Sequence, residues 1–592
     1  MRAQEFIHSL ESGWAGRVLK GLTLFLALLA LATLHNLAHF RHFSSPEAMD
    51  HAQLARNLAE GRGYTTQFIR PFSVWLIERH RGANAAVLDA PHPDLANAPA
   101  YPWLLAQWMK LAPADNAIAP AEQFKRHEPE LRIAWLNQAL FFLALVLMFR
   151  LALRLFDPFV AWMAVCTTLA SDLLWKFSLS GLPTLLGLVL VLAIAWCLAA
   201  AEQGHRVHKW GWVRLPLMAV LVGSLVGAAA LTKYPLALLL LPVLVFFGAC
   251  FDSKRVAMVL LALAAFAGVV APWLARNHAV SGTLLGAAGY AIHEDGARFP
   301  GSRLMRAMNP ANPETPADLA KVDLDEYWSK FWPNAARLLT DELPRLGGSW
   351  LAAFFLPALF IRFNSPTLAR LRGFTLASLG LLALAQALCR THLDALAPET
   401  SGGNLLVMVA PLVFVFGVGM FSILLDQMQL DTPAQRGMVA MVFLAVMCVP
   451  LLFTLCGPRR PSVAWPPYYP PFIAERAGWV GEKGLMMSDA PWAVAWYGRR
   501  DCAWLTWDAR EDFQSLHRRK PVRALYLTQL TLDQRLVSEM LRGEEKDWGM
   551  FAAEAVVLGE RPENFPLRYA FTEGFPDQLF MAEKEFWKPA PK

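Results

Sequence analysis

Apolar residues in this chain gather into long runs, and polar residues fill the stretches between them. About 20 residues of helix cross the ~30 Å hydrocarbon core of a bilayer, and about eleven runs reach or approach that length. They lie at 20–40, 131–155, 157–178, 180–202, 214–231, 232–250, 257–275, 347–361, 373–389, 403–424 and 437–455. Each is expected to be a transmembrane helix, so the chain reads as a polytopic α-helical membrane protein. Only Thr232-Lys233-Tyr234-Pro235 parts the fifth run from the sixth. The proline there lacks the backbone donor that a continuing helix needs.

Three polar blocks stand between or after the runs: 41–130, 276–346, and everything past about 456. The last opens on the Pro-rich stretch 461–471 and then changes pattern. Strand-like segments at 484–488, 502–507 and 522–528 alternate with helical ones at 490–497, 511–518 and 531–542. That alternation predicts a small α/β domain at 456–592, after a membrane domain at 1–455. It carries no glycine-rich phosphate loop and no metal-ligand spacing, so acceptor binding or support is its expected role.

Loop charge gives the orientation. With the N-terminus inside, cytoplasmic segments hold Arg150, Arg154, Arg206, Lys209, Arg214, Lys254, Arg255, Arg370, Arg372 and Arg436, whereas the short outer turns hold Lys176, Lys233 and Arg390. Blocks 41–130, 276–346 and 456–592 then lie outside. Glu5 and Glu11 interrupt the N-terminal segment, and the first run is too long for the core of a cleaved signal, so it is expected to remain as an anchor.

Composition agrees with this reading. Of 592 residues, 55% are hydrophobic and 17% charged, against roughly 25% charged in soluble domains. The net charge of +6 is spread over loops, with no basic cluster dense enough for nucleic acid. Of the seven cysteines, Cys456 and Cys502 fall on the outer side and could pair; the rest sit in or beside apolar runs as small hydrophobes.

The polar block after the first run begins Ser45-Pro46-Glu47-Ala48-Met49-Asp50-His51 and ends in Gly61-Arg62-Gly63-Tyr64. This predicts a short amphipathic helix. Glu47 and Asp50, one turn apart, share a face. The plain reading is a helix start, with acids near the N-terminal dipole and proline in the first turn. The chemical reading is a general base just outside the membrane. Lys233 and Arg276 stand at outer ends of runs, as phosphate-binding cations or as interfacial anchors; Arg56 and Arg62 are further cations. Asp172 lies inside the third run, where an acid is costly and suggests function, although Lys176 at i+4 offers it a structural partner. His35 and His39, with His42 and His51 nearby, could share a metal, but histidines at an interface are the simpler answer.

Four stretches carry a resemblance: Ala55-Arg56-Asn57-Leu58 with the acids before it, Ala100-Tyr101-Pro102-Trp103-Leu104-Leu105-Ala106, Gly227-Ala228-Ala229-Ala230-Leu231-Thr232-Lys233-Tyr234, and Ala271-Pro272-Trp273-Leu274-Ala275-Arg276-Asn277. In this order, over about the first 300 residues, they resemble the GT-C glycosyltransferases. The likeness is to the family 39 and RgtA-like group, which includes the protein mannosyltransferases and the aminoarabinose transferases of lipid A. The resemblance implies a GT-C architecture and transfer of a sugar from a polyprenyl-phosphate donor to a lipid, glycan or protein acceptor. It implies an extracytoplasmic site on a bacterial plasma membrane. The base is then Glu47 by register, eight positions before Ala55, or Asp50 by residue type, since the family residue is usually aspartate. Arg276, Lys233 and Arg56 are the candidate phosphate-binding residues and Tyr64 and Tyr101 the candidate clamps; Asp172, which matches no position of the group, is a second acid to test. No cofactor is certain; some GT-C enzymes use a divalent cation, held by carboxylates that hard ions prefer. The chain departs from the group where Asn97-Ala98-Pro99-Ala100 replaces a lysine-bearing element and where Gly403-Asn404 lacks an arginine. Two other readings stay open: a transporter or lipid flippase, and a GT-C relative that has lost activity and acts as a scaffold.

Overall fold

The computed structural model describes residues 14–82, 87–211, 213–251, 254–310, 319, 321, 324–348, 350–363, 365–397, 400–430, 432–457, 469–532, 546–554, 565–571 and 578–588. Among them, eight helices are long and apolar enough to cross a membrane: Val18–His39, Glu128–Leu155, Thr184–Arg206, Arg214–Thr232, Arg255–Ser281, Pro366–Cys389, Leu406–Gln427 and Pro433–Cys456. The protein is an integral membrane protein of the helical kind. Thr184–Arg206 and Leu406–Gln427 run through the middle of the bundle, while Val18–His39, Arg255–Ser281 and Pro433–Cys456 turn most of their side chains outward. Phe25, Leu260 and Phe453 are among the exposed apolar residues on those outer helices. That outward surface suits hydrocarbon, because a spanning helix satisfies its backbone internally and leaves only side chains to meet lipid.

Three of the expected spans take other forms. The run at 157–178 is two helices, Pro158–Leu169 and Asp172–Leu179, bent by 57°. Asp157 caps the first, accepting from Val160 N at 2.9 Å, and Ser171 restarts the second. Hydropathy alone reads straight through this break. The run at 232–250 is a 3-10 turn, Tyr234–Leu239, leading into Leu240–Cys250. The run at 347–361 holds only Ala352–Ala358, with Pro357 inside. By length the count is therefore eight, or nine with the bent pair as one span.

The polar block after the first span folds back against the bundle. Its helix Pro46–Ala59 is buried on nearly every side, Glu47 being the partly open residue of the first turn. The two-sided pattern expected of it gives way to enclosure. Two short strands follow, β1 (Thr65–Thr66) and β2 (Phe68–Ile69), then the helix Pro71–Arg81, then β3 (His92–Pro93), which pairs antiparallel with β1.

The C-terminal region is a mixed α/β layer, as its alternation predicts. Its strands are β4 (Leu485–Ser488), β5 (Cys502–Trp504), β6 (Val522–Leu527), β7 (Tyr569–Phe571) and β8 (Leu579–Ala582). The sheet order is β2-β5-β4-β6-β8-β7. β2 comes from block 41–130 and pairs parallel with β5, Phe68 opposite Cys502. All residues of β4, β5 and β8 are buried, the near-continuous apolar habit of a strand covered on both faces. The crossover helix Glu511–Arg519 places Glu511 and Asp512 in its first turn and His517, Arg518 and Arg519 in its last, matching the helix dipole. Segment 461–468 and most of the helix expected at 531–542 lie outside the described residues; Gln529–Leu532 is helical. Cys456 and Cys502 do not pair: both are free, one exposed and the other buried.

Candidate functional site

A cavity of about 460 Å³ lies where block 41–130 meets the bundle. Ser45–Asp50 and Ala96–Ala98 form one side, the Thr232–Pro235 break another, and residues of 285–294, 385–394 and 401–405 the rest. The break matters. Lys233 is extended, φ −153° and ψ 121°, between a helix end and a 3-10 turn, so its side chain leaves the bundle instead of following the helix.

Lys233 Nζ donates to both oxygens of Glu47, at 3.1 and 3.3 Å, and to Gly402 O. His51, one turn along the helix from Glu47, stands 3.3 Å from Oε1. The two charged side chains of the pair keep 17% and 26% of their surface. Burial opposes ionisation of Glu47, but the charges and hydrogen bonds of Lys233 and His51 outweigh it and hold the carboxyl down at about 2. Gly402 packs against them: a Cβ there would overlap the Glu47 carboxylate, which would have to move. Asp394 fastens that loop, accepting from Ser401 Oγ at 2.8 Å and Gly403 N at 2.7 Å.

Asp50 is also at this cavity, in a different setting. It accepts from Gln53 Nε2 at 2.9 Å, Arg70 Nη2 at 2.6 Å and Asn97 Nδ2 at 2.8 Å. Arg70 Nη1 stands 3.6 Å from Asp94, and the guanidinium lies 4.0 Å over the Phe68 ring. Burial disfavours the Arg70 charge, yet Asp50 and Asp94 raise its pKa above the ordinary value. Burial, with Asp50 adding to it, raises Asp94.

Glu294, from block 276–346, lines the same cavity and is 5% exposed. Burial pushes its carboxyl up to about 7; Lys330 and Arg70 pull it down, while Asp394 and Asp295 push it further up. Lys330 Nζ spends its hydrogen bonds on backbone oxygens, those of Ala291, Ile292 and Glu294.

Other expected residues fall elsewhere. Arg276 is not in the cavity wall: it donates to Asp94 O at 2.6 Å, Asn277 Oδ1 at 2.9 Å and Tyr64 O at 3.3 Å, and stacks over Trp273. Convergence of Lys233 and Arg276 on one cavity is therefore corrected to Lys233 alone. Arg56 is a buried clamp, donating to Trp496 O and Ala495 O at 2.7 Å and to Gln67 at 2.9 Å. Arg62 is exposed and pairs with Glu60. Asp172 bonds Lys176 at 3.1 Å. Tyr64 OH reaches Asn97 O and Ala98 O at 3.2 Å, and Tyr101 OH reaches Asn137 and Gly181 O. Both tyrosines tie down the wall. Arg70, Glu294, Asp394 and Gly402 line this cavity and Asp94 stands behind Arg70, and no motif signalled them.

A divalent ion does not fit this donor set. The two carboxylates closest in role, Asp50 and Asp94, already share the Arg70 guanidinium. Among the described residues no group of three or more His, Cys, Asp and Glu is disposed to hold a metal. His35 and His39 lie with ring centroids 4.9 Å apart, and His35 packs on Trp175 at 4.8 Å.

No family model matches the chain, and no curated protein matches it. Solved structures do. ArnT from Cupriavidus metallidurans bound to undecaprenyl phosphate is similar with a TM-score of 0.53 and 12% identity, over 95% of this chain and 98% of that one. The archaeal oligosaccharyltransferase AglB from Archaeoglobus fulgidus, in complex with an inhibitory peptide and a dolichol-phosphate, is similar with a TM-score of 0.55 and 11% identity, over 96% of this chain and 75% of that one. The chain thus shares its overall fold with these two solved membrane proteins. At these identities the likeness is one of fold.

Proposed function

We propose that this protein is a membrane glycosyltransferase of the family 39 and RgtA-like kind. It moves a sugar from a polyprenyl-phosphate donor to a lipid, glycan or protein acceptor on the extracytoplasmic face of a bacterial plasma membrane. The observation that carries the proposal is the part-open Glu47–Lys233 pair in a cavity between the outer block and the bundle. A lipid-linked sugar has its phosphate at the membrane surface, and this cavity lies between the bundle and the polar block that follows the first span. Lys233 stabilises the charge that develops on the leaving phosphate. Glu47, ionised through the neutral range, holds Lys233 in place and offsets positive charge that develops at the anomeric carbon. Asp50, with its three donors, shapes the wall. The lipid phosphates bound by the two similar structures support the donor class.

The experiment is a donor assay. Purified full-length protein in lipid nanodiscs receives a synthetic polyprenyl-phosphate hexose, and release of polyprenyl phosphate is followed by mass spectrometry. Release that disappears in the Glu47→Gln, Asp50→Asn double variant supports the proposal. Movement of intact donor between leaflets without release means a flippase; neither event means a scaffold. Reporter fusions at residues 210 and 480 should read cytoplasmic and extracytoplasmic, and the same compartment for both would remove the outer-face site.

A further inference from the structure

We infer that Glu294 is a further catalytic residue of this site: its carboxylate, on the wall of the cavity that Glu47 and Lys233 share, takes the proton of the acceptor hydroxyl. The inference rests on the glycosyltransferase reading above and names the proton's destination within it.

Four carboxylate residues line the cavity: Glu47, Asp50, Glu294 and Asp394. Three are committed. Glu47 holds Lys233 and His51; Asp50 holds Gln53, Arg70 and Asn97; Asp394 caps its own turn and anchors Ser401 and Gly403. Among the described residues nothing donates a hydrogen bond to the Glu294 carboxylate, and its oxygens are not sealed from the cavity. The charged groups that face it are Lys330, Arg70, Asp394 and Asp295. Two of these are already engaged: Arg70 with Asp50 and Asp94, and Lys330 with backbone oxygens. The residue after Glu294, Asp295, is held at φ +56°, in the left-handed region that a non-glycine residue seldom enters. Such backbone clusters at sites where a side chain must be aimed.

Chemistry then separates the two glutamates. A proton acceptor works best with a pKa near the operating pH. Paired carboxyls driven apart by their surroundings take different roles, one staying charged and the other moving the proton. Glu47 is held low by its cation and Glu294 is pushed up by burial. In the step, the acceptor O–H breaks and its proton goes to Glu294. The oxygen lone pair forms the bond to the anomeric carbon. The bond from that carbon to the phosphate oxygen breaks, and its electron pair stays on the polyprenyl phosphate beside Lys233. Water then carries the proton from Glu294 to the outer solution.

The test uses full-length protein and the same polyprenyl-phosphate hexose, with water as the acceptor so that no acceptor need be known. Expected: wild-type kcat/KM rises with pH along a limb in the neutral range. Glu294→Gln lowers kcat by about 10²–10⁴, leaves the donor KM unchanged and abolishes the limb. Glu294→Ala regains part of kcat with added formate, a result that no packing role produces. In pH-difference infrared spectra, a protonated-carboxyl stretch that titrates in the neutral range vanishes in Glu294→Gln. An active wild type whose Glu294→Gln variant keeps its rate and its limb overturns the assignment and leaves the transferase reading standing. A wild type that never consumes donor overturns both.

Discussion

Glu47 and Asp50 leave the same helix one turn apart and end in opposite surroundings. Glu47 meets Lys233, 186 positions away in the chain, and the pair keeps 26% and 17% of its side-chain surface. Asp50 meets Arg70 with only 2% and 9% left. Around Asp50 each charge is matched by hydrogen bonds and closed off, the arrangement of a wall. Around Glu47 the charges are matched by one another and remain reachable, so an incoming phosphate competes for Lys233 directly. The difference lies in access rather than in residue type.

The largest effects test the open end. Lys233→Ala or Glu47→Gln should lower donor turnover by about 10²–10⁴ without changing the melting temperature by more than a few degrees. Equal loss of turnover and of folded protein would make the pair a structural tie. At the closed end the sign of the readout reverses. Arg70→Met leaves Asp50 and Asp94 buried without their cation, and breaking such a pair costs about 3–5 kcal/mol of stability. A denaturation midpoint that stays put in Arg70→Met would show that Asp50 is not sealed.

A smaller effect is expected at Gly402. A methyl group there drives the Glu47 carboxylate from its place, and loss of a charge-assisted hydrogen bond is worth about 1.5–3 kcal/mol. Gly402→Ala should therefore free Lys233 from Glu47 and tighten polyprenyl-phosphate binding by about tenfold, the same direction as Glu47→Gln, read by titration with a polyprenyl phosphate.

The smallest effects are those of pH on stability. Glu47 is depressed to about 2, so its contribution is full above the unfolded value near 4.5 and is lost as pH falls from there toward 2. Glu294 is raised, so its contribution is present below the unfolded value and is lost as pH rises through the folded one. Glu294→Gln should remove the second dependence and Glu47→Gln the first, as seen in melting temperature against pH. An unchanged profile in either variant would contradict the surroundings described for that residue.

Much of the membrane domain was legible because length and apolarity are local properties. The eight long helices fall on runs that predict them, although Pro366–Cys389 and Arg255–Ser281 extend by nearly two turns beyond theirs. The 57° bend at Ala170-Ser171 was not, since a helix that stops and restarts keeps its hydropathy. β2 has two residues and exists only because β5 offers it a partner more than 400 positions on, so no periodicity announces it. At the site, Glu47, Asp50 and Lys233 were readable from spacing and from their places at span ends. Arg276 was readable on the same grounds, yet its guanidinium is consumed by Asp94 O, Asn277 and Tyr64 O. Glu294 and Gly402 carry no local signal: one matters for what surrounds it and the other for what it leaves room for.

The central claim is that Lys233 and Glu47 form the phosphate end of a donor cavity, and lipid-phosphate binding tests it most directly. Native mass spectrometry of the full-length protein titrated with undecaprenyl phosphate should give a one-to-one complex. That complex should be lost in Lys233→Ala, tightened in Glu47→Gln, where the phosphate's competitor is gone, and unchanged in Arg62→Ala on the exposed loop. Equal binding by wild type and Lys233→Ala would contradict the account.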